Sequence, residues 1–419
     1  MLTTAHLATW MIAALSVLGV ITRPKNWPEA WWAASGALAL VLFSLIPIQA
    51  ALAAVREGGD VYLFLTGMMV LAELARREGL FDWLASHALL HAKGSASRLF
   101  LLIYAVGTLV TIFLSNDATA VVLTPAVYAT ARRARVNAMP YLLICAFIAN
   151  AASFVLPISN PANLVVFGDH MPTLMKWLMR FGAASVVSIV ATYGLLRFTQ
   201  RHQLGAAVSQ PGSLMPLSLE GRIAAGSIAL TAVILLAAST FGWPLGLPTC
   251  LAGLGAWLLI SALKHESPLP ALRRISWGVL PLVAALFVLV RGVEGTGVFT
   301  PLTQFAAQNA QRTPALAALL GAGLVALGSN LINNLPMGLI VATLTHGAAL
   351  SVQITGALLI GVDLGPNLSV TGSLATLLWL VAIRREGEDV SAGRFLALGT
   401  LIMPPTLFAA VATLVALGR

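Results

Sequence analysis

Charge is what this chain has least of. Asp, Glu, Lys and Arg make up 9% of its 419 residues, where soluble proteins average roughly 25%, so a soluble globular fold is excluded. It has two cysteines, Cys145 and Cys250, far apart and in apolar surroundings. They build neither a disulfide framework nor a metal-spaced Cys/His set. The first apolar stretch carries no cleavage-site pattern and reads as a retained helix rather than a removed signal peptide. No phosphate loop and no nucleophile–base pair is present, which argues against an intramembrane enzyme, and no metal or cofactor is expected. No aromatic–basic interleaving accompanies the formal charge of +9. Nucleic acid is therefore not an expected partner, and the surplus of bases is assigned to cytoplasmic loops.

What is present is apolar. Hydrophobic residues make up 58% of the chain and the mean hydropathy is +0.90. Apolar runs near the length of a bilayer crossing recur at 7–21, 33–55, 99–114, 181–196, 223–241, 251–263 and 395–417. The expected fold is an all-α, multi-pass protein of the cell inner (plasma) membrane with about 8–11 spanning helices.

Four polar islands interrupt the apolar sequence. They are Ser115-Asn116-Asp117, Ser159-Asn160-Pro-Ala-Asn163, Ser329-Asn330 with Asn333-Asn334, and the stretch 363–373 with Asp363, Asn367, Thr371, Gly372 and Ser373. Helix-breaking polar residues at membrane depth cost several kcal/mol unless they line a cavity. Matched pairs of such breaks mark a transporter with an internal repeat. The spacing supports a repeat. Glu78-Gly79-Leu80-Phe81 reads against Thr296-Gly297-Val298-Phe299 at an offset of 218, Asn116-Asp117 against Asn333-Asn334 at 217, and Ser159-Asn160 against Gly372-Ser373 at 213. The last offset places Asn150 on Asp363. The division expected is an N-terminal helix in 1–29, a first repeat in 30–198, a linker in 199–221 and a second repeat in 222–419.

Charge placement predicts that the repeats are inverted. Arg76, Arg77, Lys93, Arg98, Arg132, Arg133 and Arg135 flank the first Asn-Asp island, whereas the matching flanks in 294–354 carry only Arg312. Basic flanks belong on the cytoplasmic side, so equivalent segments face opposite sides. The segment 98–132, with bases at both ends and a polar break near its middle, reads as a re-entrant hairpin. The segment 314–350 would be its mirror image. Breaks at 157–163 and 363–373 read as discontinuous helices, enforced by Pro157, Pro161 and Pro366, which lack backbone donors.

Four helix N-termini would then meet near the midplane, each with unpaired N–H groups and a positive dipole end. The expected substrate contacts are Asn116, Ser159, Asn160, Asn163, Asn333, Asn334, Asn367, Thr371, Gly372 and Ser373. Such a site suits a hydroxyl-rich solute or a small oxyanion. Asp117 and Asp363 add one carboxylate per half. Holding a charge at that depth is costly, so both are candidates to carry a proton, and the structural alternative is a neutral Asp that braces a helix break.

The run 113–125 (FLSNDATAVVLTP) resembles the ArsB-type arsenite efflux permeases of the ion transporter superfamily, and the run 361–379 (GVDLGPNLSVTGSLATLLW) resembles them more specifically. The first run is shared in looser form with dicarboxylate and silicon transporters. The similarity covers essentially the whole chain. It implies export of arsenite, and of antimonite, in exchange for protons, and extends to pairing with a soluble arsenite-stimulated ATPase, which the sequence itself does not show. Arsenous acid is a neutral trihydroxy species that needs hydrogen-bond partners rather than a cation. No Arg or Lys lies within the islands, which disfavours a dicarboxylate. Two distant cysteines imply recognition without thiols. A sodium- or proton-coupled carrier for silicic acid or a small organic anion, and a passive channel, are the alternatives.

Glu73 with Arg76 and Arg77, and Arg291 with Glu294, read as helix-end ion pairs. The tryptophans, among them Trp31, Trp32, Trp177 and Trp277, fit interfacial belts.

Overall fold

The computed structural model describes residues 3–205, 207–209, 216–267, 272–348 and 350–418, so part of the 199–221 linker lies outside the described residues. Among these residues there is no strand, only an isolated bridge between Ser95 and Ala207.

The first half of the chain runs through α1 (Thr4–Thr22), α2 (Glu29–Leu42), α3 (Ile48–Glu57), α4 (Gly59–Arg77), α5 (Leu80–His91) and α6 (Ala96–Leu114). After Ser115, the short α7 (Asn116–Ala118) passes through a π-helical turn (Thr119–Leu123) into α8 (Thr124–Arg133). Then follow α9 (Met139–Ala151), the short α10 (Pro161–Phe167) and α11 (Leu174–Gln200). The second half comprises α12 (Leu219–Thr240), α13 (Gly246–Lys264), α14 (Val279–Glu294), α15 (Thr300–Arg312), α16 (Pro314–Ile332), α17 (Asn334–Gly347), α18 (Val352–Leu364), α19 (Leu374–Arg385) and α20 (Ala392–Leu417). Seven helices are long and apolar enough to cross a membrane, and eight if α3 and α4, bent by 45° at Gly58, count as one span. With no water at that depth, helices that satisfy their own backbone are the form such sequence must take.

The elements pair in order. α6 and α16 both have 19 residues and stand 218 apart at both ends. α9 and α18 both have 13 and stand 213 apart. α11 and α20 begin 218 apart, at Leu174 and Ala392. α1 and α12 end 218 apart, at Thr22 and Thr240. Gly79 and Gly297 both take φ +73°, the left-handed region that costs glycine nothing, as each chain leaves its long helix for an amphipathic one, α5 or α15.

Packing crosses between the halves. α4 lies along α13, α2 along α14, and α11 along α20. The α4–α13 contact is backbone against backbone. A Cβ on Gly67 would come within 2.7 Å of the Cys250 nitrogen, and one on Gly253 within 2.6 Å of the Gly67 carbonyl oxygen. Small residues that let helices approach this closely are how membrane helices gain packing contact. Every residue of α9 is buried, and α18 is nearly so, so these two form the centre around which the other elements gather.

Two tryptophans depart from the interfacial expectation. Trp31 is exposed, but Trp177 is fully buried and donates its indole N–H to the Phe154 carbonyl at 3.1 Å. Trp379 does the same to Leu142 at 2.8 Å. A buried indole needs such a partner, and both are braces of the broken segments rather than membrane anchors. Of the ion pairs read from the sequence, Arg76 grips Glu73 with two bonds at 2.7 and 2.6 Å, and Arg291 meets Glu294 at 3.5 Å as well as Glu57; Arg77 instead turns to Glu266 and to Glu78 at 3.7 Å.

Candidate functional site

Two of the four helix N-termini arise at sharp reversals. Ser115 adopts φ 124°, ψ 164° and its hydroxyl accepts from the Ala118 N–H, so α7 starts at Asn116. Asn333 adopts φ 76°, ψ 155° and its side chain accepts from the Leu335 N–H, so α17 starts at Asn334. The other two follow extended breaks. Asn160 caps α10 through the Ala162 N–H at 3.0 Å, with Pro161 in the first helical position, where its missing donor is harmless. Ser373 caps α19 through the Thr376 N–H at 3.1 Å. All four caps are Ser or Asn, the residues that best satisfy orphan N–H groups.

The cap geometry matches the two reversals at an offset of 218 rather than the 217 read from the sequence. Ser115 pairs with Asn333 and Asn116 with Asn334, the same 218 offset as the flanking helices. The counterpart of Asp117 is therefore Leu335, not an asparagine. Matching Asn to Asn in the sequence slid the alignment, because the two caps are different residue types.

The four N-termini open onto one small cavity of about 10 Å³, lined by Asn116, Asp117, Asn160, Pro161, Asn334, Leu335, Leu374 and Ala375, with Leu65 and Val279 closing the sides. That is room for about one water. No base lines it. Each half's broken helix meets the other half's reversal, since α10 packs on α17 and α19 on the π-helical turn after α7.

Of the twelve residues expected at the site, four line this cavity: Asn116, Asp117, Asn160 and Asn334. Asn116 accepts from the Asp117 backbone N–H at 2.9 Å. The Asp117 carboxylate is half-buried and accepts no hydrogen bond among the described residues. Asp363 stands one layer behind. Its Oδ1 accepts from the Asn160 amide at 2.8 Å, and its Oδ2 is buried with no partner among the described residues.

The other seven hold the breaks in shape. Ser159 donates to the Ile112 carbonyl at 3.1 Å and accepts from the Leu156 N–H. The Asn163 amide donates to the carbonyls of Ser153, Leu156 and Pro157. Asn367 donates to the Phe147 carbonyl at 3.0 Å, and Thr371 to that of Asn330 at 3.0 Å. Gly372 lies against Pro366 and Asn330, where a Cβ would come within 2.6 Å. Asn333 and Ser373 are caps.

Two residues that carry much of this framework were not among those expected. Asn150 donates to Asn367 at 3.0 Å and to Thr376 at 3.2 Å, and accepts from Ser373 at 3.2 Å. Asn330 donates to the Gly365 carbonyl at 2.9 Å and accepts from the Ser369 hydroxyl at 2.7 Å. The sequence signal for Asn150 was its alignment with Asp363.

A second, wider cavity of about 860 Å³ opens on one face of the bundle. Its mouth carries Arg56, Glu57, Asp60, His170, Arg291 and Glu294, and its floor carries Val61, Leu164 and Leu339. Val61, Leu164 and Leu339 stand three or four residues from Leu65, Pro161 and Leu335 of the small cavity. Four helical residues rise about 6 Å, so about one apolar turn separates the two spaces. The opposite face is tied across the halves by two ion pairs: Lys264 meets the buried Glu78 at 2.7 Å, and Arg77 pairs with Glu266. Beside them, within the first half, Arg133 donates to Ser86.

A family model described as citrate transporter (CitMHS) matches residues 10–366 of the chain. An arsenical pump membrane protein of Escherichia coli (strain K12) is 28% identical over 420 residues, 96% of this chain and 97% of that protein. One of Yersinia enterocolitica is 28% identical over 362 residues, 83% of this chain and 84% of that protein. Among solved structures, the Alcanivorax borkumensis YdaH transporter, described as having an unusual topology, superposes with a TM-score of 0.56 at 15% identity, covering 88% of this chain and 87% of that one.

Proposed function

The chain belongs to the citrate transporter family of ion-transporter-superfamily permeases, and we propose that it exports arsenite, and antimonite, across the inner membrane in exchange for protons. It is a multi-pass membrane transporter, not an enzyme. The observation that carries the substrate reading is the lining of the central cavity: four helix N-termini and the amides of Asn116, Asn160 and Asn334, with no Lys or Arg. N–H dipoles and amides bind oxygen-rich solutes without a full countercharge. Arsenous acid, small, neutral and carrying three hydroxyls, matches that donor and acceptor set. The similarity to arsenical pump proteins supports the same assignment.

We assign the coupling to Asp117 and Asp363. With the site facing the cytoplasm and both carboxylates charged, the Asn groups and Asp117 hold the solute. With the site facing outward, a proton arriving from outside weakens that hold and the solute leaves. Oδ2 of Asp363, buried and unpartnered, is where a proton removes the cost of an uncompensated buried charge. The Asn160 amide then passes the change to the cavity. One proton entering per neutral solute leaving would draw about 2.3 kcal/mol from each 100 mV of membrane potential.

We also read the halves as inverted repeats, 30–198 and 222–419, with hairpins at 98–132 and 314–350 and helix breaks at 157–163 and 363–373. The match of α1 with α12 extends the first repeat to the N-terminal helix. The soluble ATPase remains part of what the resemblance implies, and no feature of the fold adds to it.

The second reading is a carrier for a small organic anion, favoured by the citrate transporter description of the family; the base-free cavity counts against it. Arsenite flux into proteoliposomes, with pH gradient and voltage imposed separately, tests the proposal. Flux should follow both gradients and yield to antimonite but not to citrate. Flux that ignores an imposed pH gradient would mean a channel, and competition by citrate would favour the organic-anion carrier.

A further inference from the structure

The two central helices reach across the molecule in the same way. Asp363 of α18 accepts from Asn160, the cap of α10 in the other half, at 2.8 Å. Asn150 of α9 accepts from Ser373, the cap of α19 in the other half, at 3.2 Å. Asn150 and Asp363 stand 213 residues apart, and so do Asn160 and Ser373. All four side chains are fully buried or within 1% of it. The two ties are one device repeated, in which a side chain of a central helix fixes the cap of the opposite broken helix, and so fixes where that helix's N–H groups point. The ties differ in one atom pair. Asp363 offers only oxygens and leaves Oδ2 without a partner. Asn150 has an amide in that place, and it donates to Asn367 and Thr376.

We propose that Asn150 is the positioning residue for the α19 terminus of the substrate site, and that the coupling carboxylate can be moved from the Asp363 tie to the Asn150 tie. The inference rests on the proton-coupled reading above and names a residue that reading does not use. Asn150 makes four bonds, with Ala146 as the fourth partner, so an apolar replacement of similar size frees Ser373 to turn and misaims the cap. The ionisable neighbours of the two ties are few. α7 carries Asp117, α6 carries Tyr104 in its middle and Arg98 at its start, and α9 carries Cys145 five residues before Asn150 and Tyr141 at its far end, where the Tyr141 hydroxyl donates to the Ala96 carbonyl. The bases on the surrounding elements lie toward helix ends: Arg132 and Arg133 on α8, Arg384 and Arg385 on α19, and Arg394 on α20. Lys176, Arg180 and Arg197, with Tyr193, lie on α11 toward its two ends. Among the described residues no base pairs with Asp363.

The experiment uses the full chain in proteoliposomes and follows arsenite uptake against an imposed pH gradient. Asn150→Leu should raise the half-saturating arsenite concentration roughly tenfold, about the worth of one or two buried hydrogen bonds, and leave the dependence on pH gradient in place. Asn150→Asp should restore the affinity and change the pH profile, because the site then holds a third carboxylate beside Asp117 and Asp363. Asp363→Asn should lose the response to the pH gradient, and Asn150→Asp combined with Asp363→Asn should regain it. Each variant is first checked for a single monodisperse species in detergent. If the double variant disperses poorly, the Asn150→Leu shift and its Asn150→Asp rescue decide alone. Unaltered affinity in Asn150→Leu overturns the positioning role. A well-folded double variant without pH response, beside a wild type that has it, overturns the exchange of ties. A wild type with no arsenite uptake would instead sink the function proposed above.

Discussion

Asp117 sits in the second position of a helix, with its carboxylate half-buried in the cavity wall and no hydrogen bond to hold it among the described residues. A helix N-terminus favours a negative charge by roughly 0.3–1 kcal/mol, and more when partly buried. Half-burial at that depth works against the charge, so the helix end and the surroundings pull the carboxyl in opposite directions. Leu335 stands in the same place in the other half, so the two reversals are alike in backbone and unlike in chemistry. Asp117→Asn keeps shape and hydrogen-bonding capacity and removes the titration. It should abolish pH-gradient-driven arsenite uptake in everted vesicles, as should Asp363→Asn. Undiminished uptake in both variants would rule out the coupling scheme. Asn160 joins the two carboxylates, since it lines the cavity beside Asp117 and donates to Asp363. Asn160→Ala removes a cap and strands a buried carboxylate, which together should cost about 2–5 kcal/mol. A lowered unfolding midpoint in a thermal stability assay, with weakened uptake, is the expected outcome.

The close helix crossing gives a prediction at the level of elements. Gly67 and Gly253 let α4 and α13 touch through their backbones, and the Thr249 and Cys250 backbone atoms cannot swing aside as a flexible side chain could. Gly67→Val should therefore destabilise by about 2–4 kcal/mol through overpacking. Gly255→Ala, where nothing lies within 4 Å of the added carbon, should leave the melting temperature near wild type. Equal melting temperatures for the two would show that this crossing does not hold the bundle together. Element positions were largely legible in the sequence because polar islands in apolar surroundings have one economical explanation, a helix that stops. Asn160 as a cap followed by Pro161 could be read directly. The roles of Ser159, Asn163, Asn367 and Thr371 could not, because sequence marks a side chain as polar at depth without saying whether it faces a cavity or a carbonyl. Trp177 and Trp379 show the same limit. An indole at a helix end reads as interfacial, and only packing reveals that the Phe154 and Leu142 carbonyls claim it. Asn150 lies inside a helix rather than at a break, so local pattern did not single it out, and Asn330, although part of a polar island, gave no sign that it braces the stretch 365–371 rather than facing the cavity.

The whole molecule has two unlike faces. Toward one end of the bundle lie Arg76, Arg77, Arg132, Arg133, Lys264, Arg384 and Arg385, where α4, α8, α13 and α19 finish. Arg56 and Arg291 lie at the other, around the mouth of the wide cavity. Excess Lys and Arg mark the cytoplasmic side, which puts that cavity outside and the ion-paired face of Glu78 and Lys264 inside. The barrier between solvent and site is then uneven. From the outer cavity it is one turn, with Leu65 and Leu335 at its lower edge. From the inner face it is the length from Asn116 to Arg133, about 26 Å of helix at 1.5 Å per residue. A cavity that holds about one water cannot admit arsenous acid, so this conformation is closed around its site and nearest to opening outward. Single cysteines can report this, because Cys145 and Cys250 are both buried. Thr343→Cys, in the wall of the wide cavity, should react with a membrane-impermeant maleimide added to intact cells. Ser86→Cys, on the opposite face beside Arg133, should react only in everted vesicles. Leu335→Cys should be slow from outside at rest and faster when an inward proton gradient drives turnover, since only a moving turn exposes it. Reaction of Thr343→Cys from the cytoplasmic side alone would reverse the orientation. Rapid labelling of Leu335→Cys at rest would mean that the apolar turn is not the outer barrier.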